Sequence, residues 1–228
     1  SKTPERLRHL LSYVLPVRVV ILKQPAAYQE RLQRGFEVVS RRPLSVIYKS
    51  HGVRAFEPDF LNTSGIAKAF AEHEPRVIHI QAPVFEDEGT LVLGLPLLSP
   101  GLSGEMERQR LTVDLLSQLF RSSLRTRNAP LLILDSPRPL DTSEVARQLL
   151  LRNRFAADFV ALGQARAVLC TGLFERSRME LAAERLALGI SLKPRLKELL
   201  VLCRKEGDDR FSGPGTALFA ADPEEFLR

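Results

Sequence analysis

The sequence contains no tryptophan, only two cysteines and no apolar run of the roughly 18 residues that a membrane helix requires. The cysteines, Cys170 and Cys203, lie inside the apolar runs AVLC and LLVLC, where free thiols behave as small buried side chains. Two cysteines are too few for a disulfide framework. We therefore expect a chain that is not secreted, has no membrane partner and works in the reducing cytoplasm.

Several well-known catalytic and phosphate-binding motifs are missing as well. The first apolar run, VRVVIL, is followed by KQPAAY, which has no glycine-rich phosphate loop, so a dinucleotide fingerprint and a Walker motif are excluded. The sequence has no G-x-S-x-G turn, no CxxC pair and no HExxH. His73 and His79 are wrongly spaced for one helical face. The sequence thus predicts no cofactor and no metal.

The net charge of +6 would suit a polyanionic partner if the basic residues were clustered. They are instead interleaved with acidic residues, as in MERQR and FERSRMELAAERL. The lack of tryptophan also leaves few side chains on which bases can stack. Nucleic acid is therefore a disfavoured partner, although arginine-bearing stretches such as RQLLLRNR keep nucleotide or nucleic-acid binding open as an alternative.

Strand-like and helix-like stretches alternate along the chain. Apolar runs predict strands at VRVVIL, LSVIYKS, RVIHIQAP, GTLVLGL, APLLILDS, RAVLCTGL and TALFAAD. Amphipathic periods predict helices over 3–15, 26–39, 64–72, 111–127, 142–162, 176–190 and 196–205. The polar stretch LLSPGLSGEMERQR is predicted to be an exposed loop. The pattern predicts a single α/β domain over residues 1–228, with a mostly parallel sheet and helices on both faces.

In a parallel sheet of this kind, ligand-binding and catalytic groups lie at the carboxyl ends of the strands. The ranges to consider are therefore 49–52, 81–85, 135–138 and 171–174. The strands RVIHIQAP and APLLILDS are continuously apolar, which is typical of central strands buried on both faces. We expect these two strands to be adjacent and parallel.

From about residue 76 to residue 174, the order of elements resembles the CHAT family, bacterial cysteine peptidases related to caspases. The segments that carry the resemblance are VIHIQAPVFEDEG, TLVLGL, LTVDLLSQLF, LLILDSPRP, SEVARQLLLRNRFAADFVALG and RAVLCTGL. It implies a caspase-like fold in which His79 matches the first, usually non-catalytic histidine. Pro83 falls on the position of the general-base histidine, and Pro137 on that of the nucleophilic cysteine. Proline supplies neither nucleophile nor proton acceptor.

A second register of the same resemblance is open. In it, SHG at residues 50–52 resembles the caspase histidine motif, and IQAP at residues 80–83 resembles the strand that carries the cysteine. This register keeps His51 as a base but again places a proline, Pro83, on the cysteine. Both registers imply a site without its nucleophile.

The residues around these prolines also have ordinary structural interpretations. Asp135 and Ser136 are expected to satisfy backbone donors at the turn before Pro137, and His79 is expected to be a hydrogen-bonded core histidine. If the strand ends form a cleft that binds a partner, its candidate residues are Gln81, Phe85, Asp135, Ser136 and Arg138.

The favoured hypothesis is a non-catalytic regulatory or protein-interaction module, excised from a larger bacterial signalling or defence protein. Its partner would be a protein, a peptide or another domain of the same chain. The main rival is an active cysteine peptidase that uses Cys170 with His51 or His79. Against this rival, burial in an apolar strand should raise the pKa of Cys170 and keep the thiol inert.

Overall fold

The computed structural model of the protein describes residues 16–23, 35–36, 42–100, 106–124, 129–173, 176–192, 216–220 and 222. Its strands are β1 (Arg18–Lys23), β2 (Arg54–Phe56), β3 (Val77–Gln81), β4 (Val84–Asp87), β5 (Thr90–Pro100), β6 (Met106–Thr112), β7 (Leu131–Asp135), β8 (Ala167–Cys170) and β9 (Ala217–Ala220). A central sheet has the order β2-β1-β3-β7-β8-β9, and a smaller sheet has the order β4-β5-β6.

The central sheet is parallel except for its last strand, β9, which runs antiparallel to β8. The middle pair is formed by β3 and β7, in a register that places Val77 beside Leu131 and Gln81 beside Asp135. The prediction that these two strands are adjacent, parallel and central is confirmed. Their continuous apolar sequences follow from this position, because a central parallel strand is buried on both faces.

Helices cover both faces of this sheet. They are α1 (Leu44–Ser50), α2 (Thr63–His73), α3 (Val113–Ser123), α4 (Glu144–Ala161) and α5 (Arg176–Ser191). On one face α2, α3 and α4 bury the strand residues Val20, Ile78 and Leu132, whereas on the other α1 and α5 bury Ile21 and Ile133. The predicted α/β class, a mostly parallel sheet between two helical layers, is therefore confirmed and is consistent with a caspase-like architecture.

The stretch LSVIYKS is a helix, so its assignment as a strand is wrong. Leu44, Ile47 and Tyr48 are its buried residues, and their spacing places them on one helical face against the sheet. Pro43 precedes the helix, and its carbonyl accepts hydrogen bonds from the amides of Val46 and Ile47. Such a short apolar run has no period that separates a helix from a strand, and tertiary packing decides between them.

The predicted loop LLSPGLSGEMERQR is also wrong, because most of its residues belong to the long hairpin of β5 and β6. Leu97 pairs with Gln109 and Leu98 with Arg108 across the two strands, while residues 101–105 lie outside the described part. The polar composition of the stretch suggested a loop. Leu97 nevertheless packs in the core beneath the small sheet, so burial outweighs composition here.

Glycine is required at one position of the small sheet. A Cβ atom on Gly94 would lie 2.8 Å from both the Pro83 ring and the Phe85 ring. The amide of Gly94 donates to the carbonyl of Pro83 at 2.7 Å, which holds the two backbones in this close approach. The small sheet is thereby fixed to the turn that follows β3.

The start of α3 agrees with its local sequence signal, whereas α4 begins after Ser143, which makes no side-chain cap hydrogen bond. Thr112 caps α3, because its hydroxyl accepts a hydrogen bond from the amide of Leu115 at 3.2 Å. Before α4, the carboxylate of Asp141 accepts from the amide and the hydroxyl of Ser143.

The predicted helices 3–15 and 196–205, and nearly all of 26–39, lie outside the described residues. Within the described part of the chain, no helix combines the length and apolar character of a membrane span.

Gln148 of α4 takes the place of a neighbouring strand beside β4. Its Oε1 accepts from the amide of Val84 at 2.8 Å, and its Nε2 donates to the carbonyl of the same residue at 3.0 Å. Both partners are buried. The glutamine therefore satisfies the two backbone groups of Val84 on the side of β4 where the described residues form no further strand.

We predict that Gln148→Ala lowers the free energy of unfolding by about 2–4 kcal/mol, because it leaves a buried amide and a buried carbonyl unsatisfied. Urea unfolding followed by circular dichroism measures the effect. Gln118→Ala, on the exposed side of α3, is the matched control and should change stability by less than about 0.5 kcal/mol. Equal stability of the two variants would contradict the assignment.

Candidate functional site

The turns that follow β3 and β7 are hydrogen-bonded to each other. The amide of Ala82 donates to the carbonyl of Asp135 at 3.0 Å, and the hydroxyl of Ser136 donates to the carbonyl of Ala82 at 3.0 Å. Pro83 and Pro137 each follow by one residue and are both buried. The two prolines thus occupy neighbouring strand ends at the carboxyl edge of the sheet, where they offer no group for acid–base or nucleophilic chemistry.

Asp135 and Ser136 act differently from the expectation that they satisfy backbone donors. Ser136 satisfies a backbone acceptor, the carbonyl of Ala82. The carboxylate of Asp135 binds side chains on the strands at either side: Thr171 Oγ1 donates to its Oδ1 at 2.8 Å, and Gln81 Nε2 donates to its Oδ2 at 3.0 Å. Asp135 therefore links the ends of β3, β7 and β8.

His79 extends this set of polar contacts into the core. Its Nε2 lies 3.4 Å from Asp135 Oδ2, an ion-pair distance without the alignment of a good hydrogen bond. Its Nδ1 lies 2.8 Å from the hydroxyl of Tyr48 on α1, and the direction of that hydrogen bond depends on the histidine tautomer. The expectation of a hydrogen-bonded core histidine is confirmed.

The carboxyl group of Asp135 is tuned to remain ionised. Burial alone would raise its pKa, but the contact and the electrostatic interaction with His79 and the hydrogen bonds from Thr171 and Gln81 outweigh burial. The pKa therefore lies below its ordinary value of 3.8. The side chain keeps 23% of its surface exposed at the edge of the sheet.

Lys23, the last residue of β1, continues this polar row across the sheet. Lys23 lies beside Gln81, and Gln81 lies beside Asp135, in the strand register. The ammonium group of Lys23 is 3.2 Å from Glu57 Oε1, just beyond the end of β2. The chain crosses from one side of β1 to the other at this point of the sheet, and α/β proteins bind ligands at such points.

Cys170 lies on the opposite face of the sheet from His79. The thiol is fully buried in the core beneath α4, whereas His79 faces α1 and Tyr48. Burial raises the pKa of Cys170 to about 11, although the neighbouring guanidinium of Arg152 partly offsets this effect. The structure therefore confirms that the cysteine is buried, and it does not bring Cys170 and His79 together.

Arg152 is a feature that the sequence interpretation missed. It is fully buried, and its guanidinium donates to the carbonyl of Thr171 at the end of β8. The signal was present, since Arg152 falls on the same helical stripe as the buried residues Gln148, Phe155 and Phe159. An arginine on the apolar stripe of a helix indicates a buried charge with a structural or functional task.

His51 lies at the other end of the strands. It follows α1 and precedes β2, whose first residue, Arg54, donates its amide to the carbonyl of Val17 just before β1. The length of β1, about 17 Å at 3.3 Å per residue, separates this edge from Pro83. The range 49–52 is therefore misplaced as part of a carboxyl-edge site, because it ends a helix and not a strand.

Exposed apolar side chains flank the carboxyl edge. Phe85 is 38% exposed and meets the ring of Phe36 edge-on at 5.9 Å. Leu140, which is 61% exposed, follows the bridge between Phe36 and Pro139. We call Phe36, Phe85 and Leu140 the apolar rim. Arg138, another predicted cleft residue, is half-buried in the same turn region.

Among the described residues, no group of three or more histidine, cysteine or acidic side chains could hold a metal ion. Comparison with protein-family models and with curated protein sequences finds no match to this chain. The chemistry of this edge is therefore inferred from its own residues, which comprise two prolines, an ionised carboxylate and an apolar rim.

We predict that Asp135→Asn lowers the free energy of unfolding at pH 7 by on the order of 1–3 kcal/mol, because the amide cannot accept hydrogen bonds at both former oxygens. The folded-state pKa of Asp135 is lowered, so its stabilisation is present above the unfolded pKa of about 3.9 and is lost as the pH falls through the folded pKa. Urea titrations between pH 2 and pH 7 should therefore show the two proteins converging in acid. Asp158→Asn, at an exposed position of α4, is the control, and a constant difference at all pH values would contradict the prediction.

We predict that Cys170 reacts with iodoacetamide at pH 8 at least about a hundredfold more slowly in the folded protein than in urea, because so little thiolate forms. Because the pKa of Cys170 is raised in the folded state, the contribution of its protonated thiol to the free energy of unfolding is fully present below about pH 9. This contribution is lost as the pH rises towards about 11. Mass spectrometry in a Cys203→Ser background measures the alkylation. Rapid labelling of the folded protein would show that the thiol is accessible.

Proposed function

We propose that this chain is a non-catalytic caspase-like module of the CHAT type, which acts as a regulatory or protein-interaction domain in the cytoplasm as part of a bacterial signalling or defence protein. The observation that carries the proposal is the pair of buried prolines, Pro83 and Pro137. They lie at the ends of the two central strands, where the resemblance expects a histidine and a cysteine.

The position of the other candidate groups supports the non-catalytic interpretation. Cysteine peptidases need a thiol whose proton a nearby imidazole accepts. Cys170 lies on the face of the sheet opposite His79, and His51 lies at the opposite end of the strands. The active-peptidase alternative would thus require a large rearrangement of the central sheet.

The nucleic-acid alternative has less support than the stretch RQLLLRNR suggested. Arg152 of this stretch is buried. Arg147 and Arg154 lie near carboxylates, with distances of 3.5 Å to Glu144 and 3.6 Å to Glu86. The neighbouring carboxylates lower the local positive potential that a phosphate backbone would meet.

A peptide or protein partner suits the chemistry that the carboxyl edge does offer. The apolar rim provides exposed aromatic and aliphatic surface, and such surface is a common anchor in protein interfaces. Gln81 and Ser136 are engaged by protein groups. We infer that a bound segment contacts the rim and the partly exposed side chain of Asp135, and that it is not cleaved.

We predict that the purified protein hydrolyses no member of a diverse fluorogenic peptide library, and that the variant Pro83→His with Pro137→Cys shows at most trace activity. A restored pair would still need aligned oxyanion donors, and a misplacement of about 1 Å costs roughly a hundredfold in rate. Thermal melting must first show that the variant folds, since both prolines are buried.

Cys170→Ser is the control, and the interaction half of the proposal has its own readout. If the parent protein cleaves peptides and Cys170→Ser abolishes the activity, the non-catalytic proposal is wrong. Selection of peptides on the immobilised parent should yield binders that lose at least about tenfold in affinity on Phe85→Ala or Leu140→Ala. Binders insensitive to both changes would place the interaction elsewhere.

A further inference from the structure

A concave site lies beyond the end of β2, which is two strands across the sheet from β3. It is a pocket of about 240 Å³ between the segment 57–62 and the exposed side of α2. We call it the α2 pocket. The residues of its lining that matter for its chemistry are Glu57, Asp59, Phe60, Lys68, Glu72 and His73.

The walls of the α2 pocket are held by the fold. Asn62 caps α2 by accepting a hydrogen bond from the amide of Gly65 at 2.6 Å. A Cβ atom on Gly65 would lie 2.2 Å from the carbonyl oxygen of Phe60, so the segment closes directly on the helix. At the far end, the ring of His73 stacks on Phe56 with 3.7 Å between centroids and 9° between planes. The pocket is therefore formed before a ligand arrives.

Negative charge dominates the lining. Glu57, Asp59 and Glu72 contribute three carboxylates, and Lys68 contributes one ammonium group. Glu57 is paired with Lys23, which lies behind it at the end of β1. Within the described part of the chain, Asp59 and Glu72 share one ion-pair partner.

That partner, Lys68, holds the two carboxylates only loosely. Its ammonium nitrogen is 3.9 Å from Asp59 Oδ2 and 3.9 Å from Glu72 Oε1, and its side chain is mostly exposed. Both distances are beyond hydrogen-bond range. Exposed ion pairs of this kind contribute little free energy, so another cation of better geometry can replace the lysine.

The aromatic ring of Phe60 adds a second recognition element. It is 71% exposed, the largest exposure among the apolar residues that the described part of the chain presents to solvent. A planar guanidinium can stack on such a ring while it donates paired hydrogen bonds to a carboxylate, whereas an ammonium group cannot do both equally well. The pocket is also smaller than the usual 300–1,000 Å³ of sites for drug-sized ligands, so a single side chain is the appropriate occupant.

We propose that the α2 pocket binds an arginine side chain of a protein partner, with the guanidinium stacked on Phe60 and paired with Asp59 and Glu72 in place of Lys68. The cavity, its charge complementarity and the exposed ring carry this assignment. It does not depend on whether the proline-bearing edge binds a peptide, so either proposal can fail without the other.

The test uses Nα-acetyl-arginine N-methylamide, which mimics an arginine within a chain, and follows the backbone amides of the ¹⁵N-labelled protein by NMR at pH 7.5. We expect saturable shifts centred on Ser64, Gly65 and Lys68, with an affinity that falls as salt is added. Nα-acetyl-glutamate N-methylamide is the control ligand and should not shift these amides. Absence of saturable shifts with the arginine ligand would overturn the proposal.

Variants of the pocket should change the affinity in opposite directions, which an acidic surface without a specific site would not do. Removing the competing cation by Lys68→Gln should tighten binding by about twofold to fivefold, and Asp59→Asn or Glu72→Gln should weaken it by a similar factor. Phe60→Ala should weaken it as well. Lys49→Gln and Asp158→Asn, exposed and outside the pocket, are matched controls that should change the affinity little.

Two further outcomes decide between occupants. Equal binding of the arginine and lysine derivatives, with no loss on Phe60→Ala, would show unspecific attraction to the carboxylates and would overturn the guanidinium assignment. Free arginine that binds at least tenfold more tightly than the blocked derivative would identify a small-molecule site and overturn the assignment to a protein partner.

Discussion

The carboxylate of Asp135 is the group on which the organisation of the carboxyl edge depends. It accepts hydrogen bonds from Gln81 on one neighbouring strand and from Thr171 beyond the other, so three strand ends are tied to one charge. His79 and Tyr48 connect the same charge to α1 beneath the sheet. Because a charge that is mostly shielded from water is costly unless its acceptor sites are filled, each of these residues constrains the positions of the others.

The elements that the sequence predicted correctly are those whose structure depends on local composition and local hydrogen bonds. VIHIQ and LLILD were recognisable as central strands because they are short, largely apolar and followed closely by proline, which suits a parallel strand buried on both faces. Thr112 marks the start of α3 through a local hydrogen bond. The predictions for LSVIYKS and LLSPGLSGEMERQR were wrong because the structure of these segments is decided by contacts with residues far away in the chain. The role of Tyr48 was invisible for the same reason, since the residue reaches His79 only once α1 packs under the sheet.

The candidate site shows the same division. The sequence shows directly that residues 83 and 137 are prolines. Their neighbouring positions follow from the pairing of the strands that precede them. By contrast, Cys170 and His79 face opposite helical layers because of the register of side chains within each strand. A shift of one residue would exchange their faces. The sequence therefore predicts which side chains lie at the strand ends. The groups that each of these side chains contacts can be known only from the three-dimensional structure.

The pairing of Gln148 with Val84 limits how a partner can approach. Many proteins capture an extended segment by adding it as a strand to an open sheet edge, with the main chain supplying the hydrogen bonds. At Val84 that position is already filled by a side chain of the same molecule, which an incoming backbone would have to displace against its high local concentration. A partner segment of the proposed kind would therefore be directed across the strand ends rather than alongside β4, and two copies of the protein would meet the same obstacle at this edge.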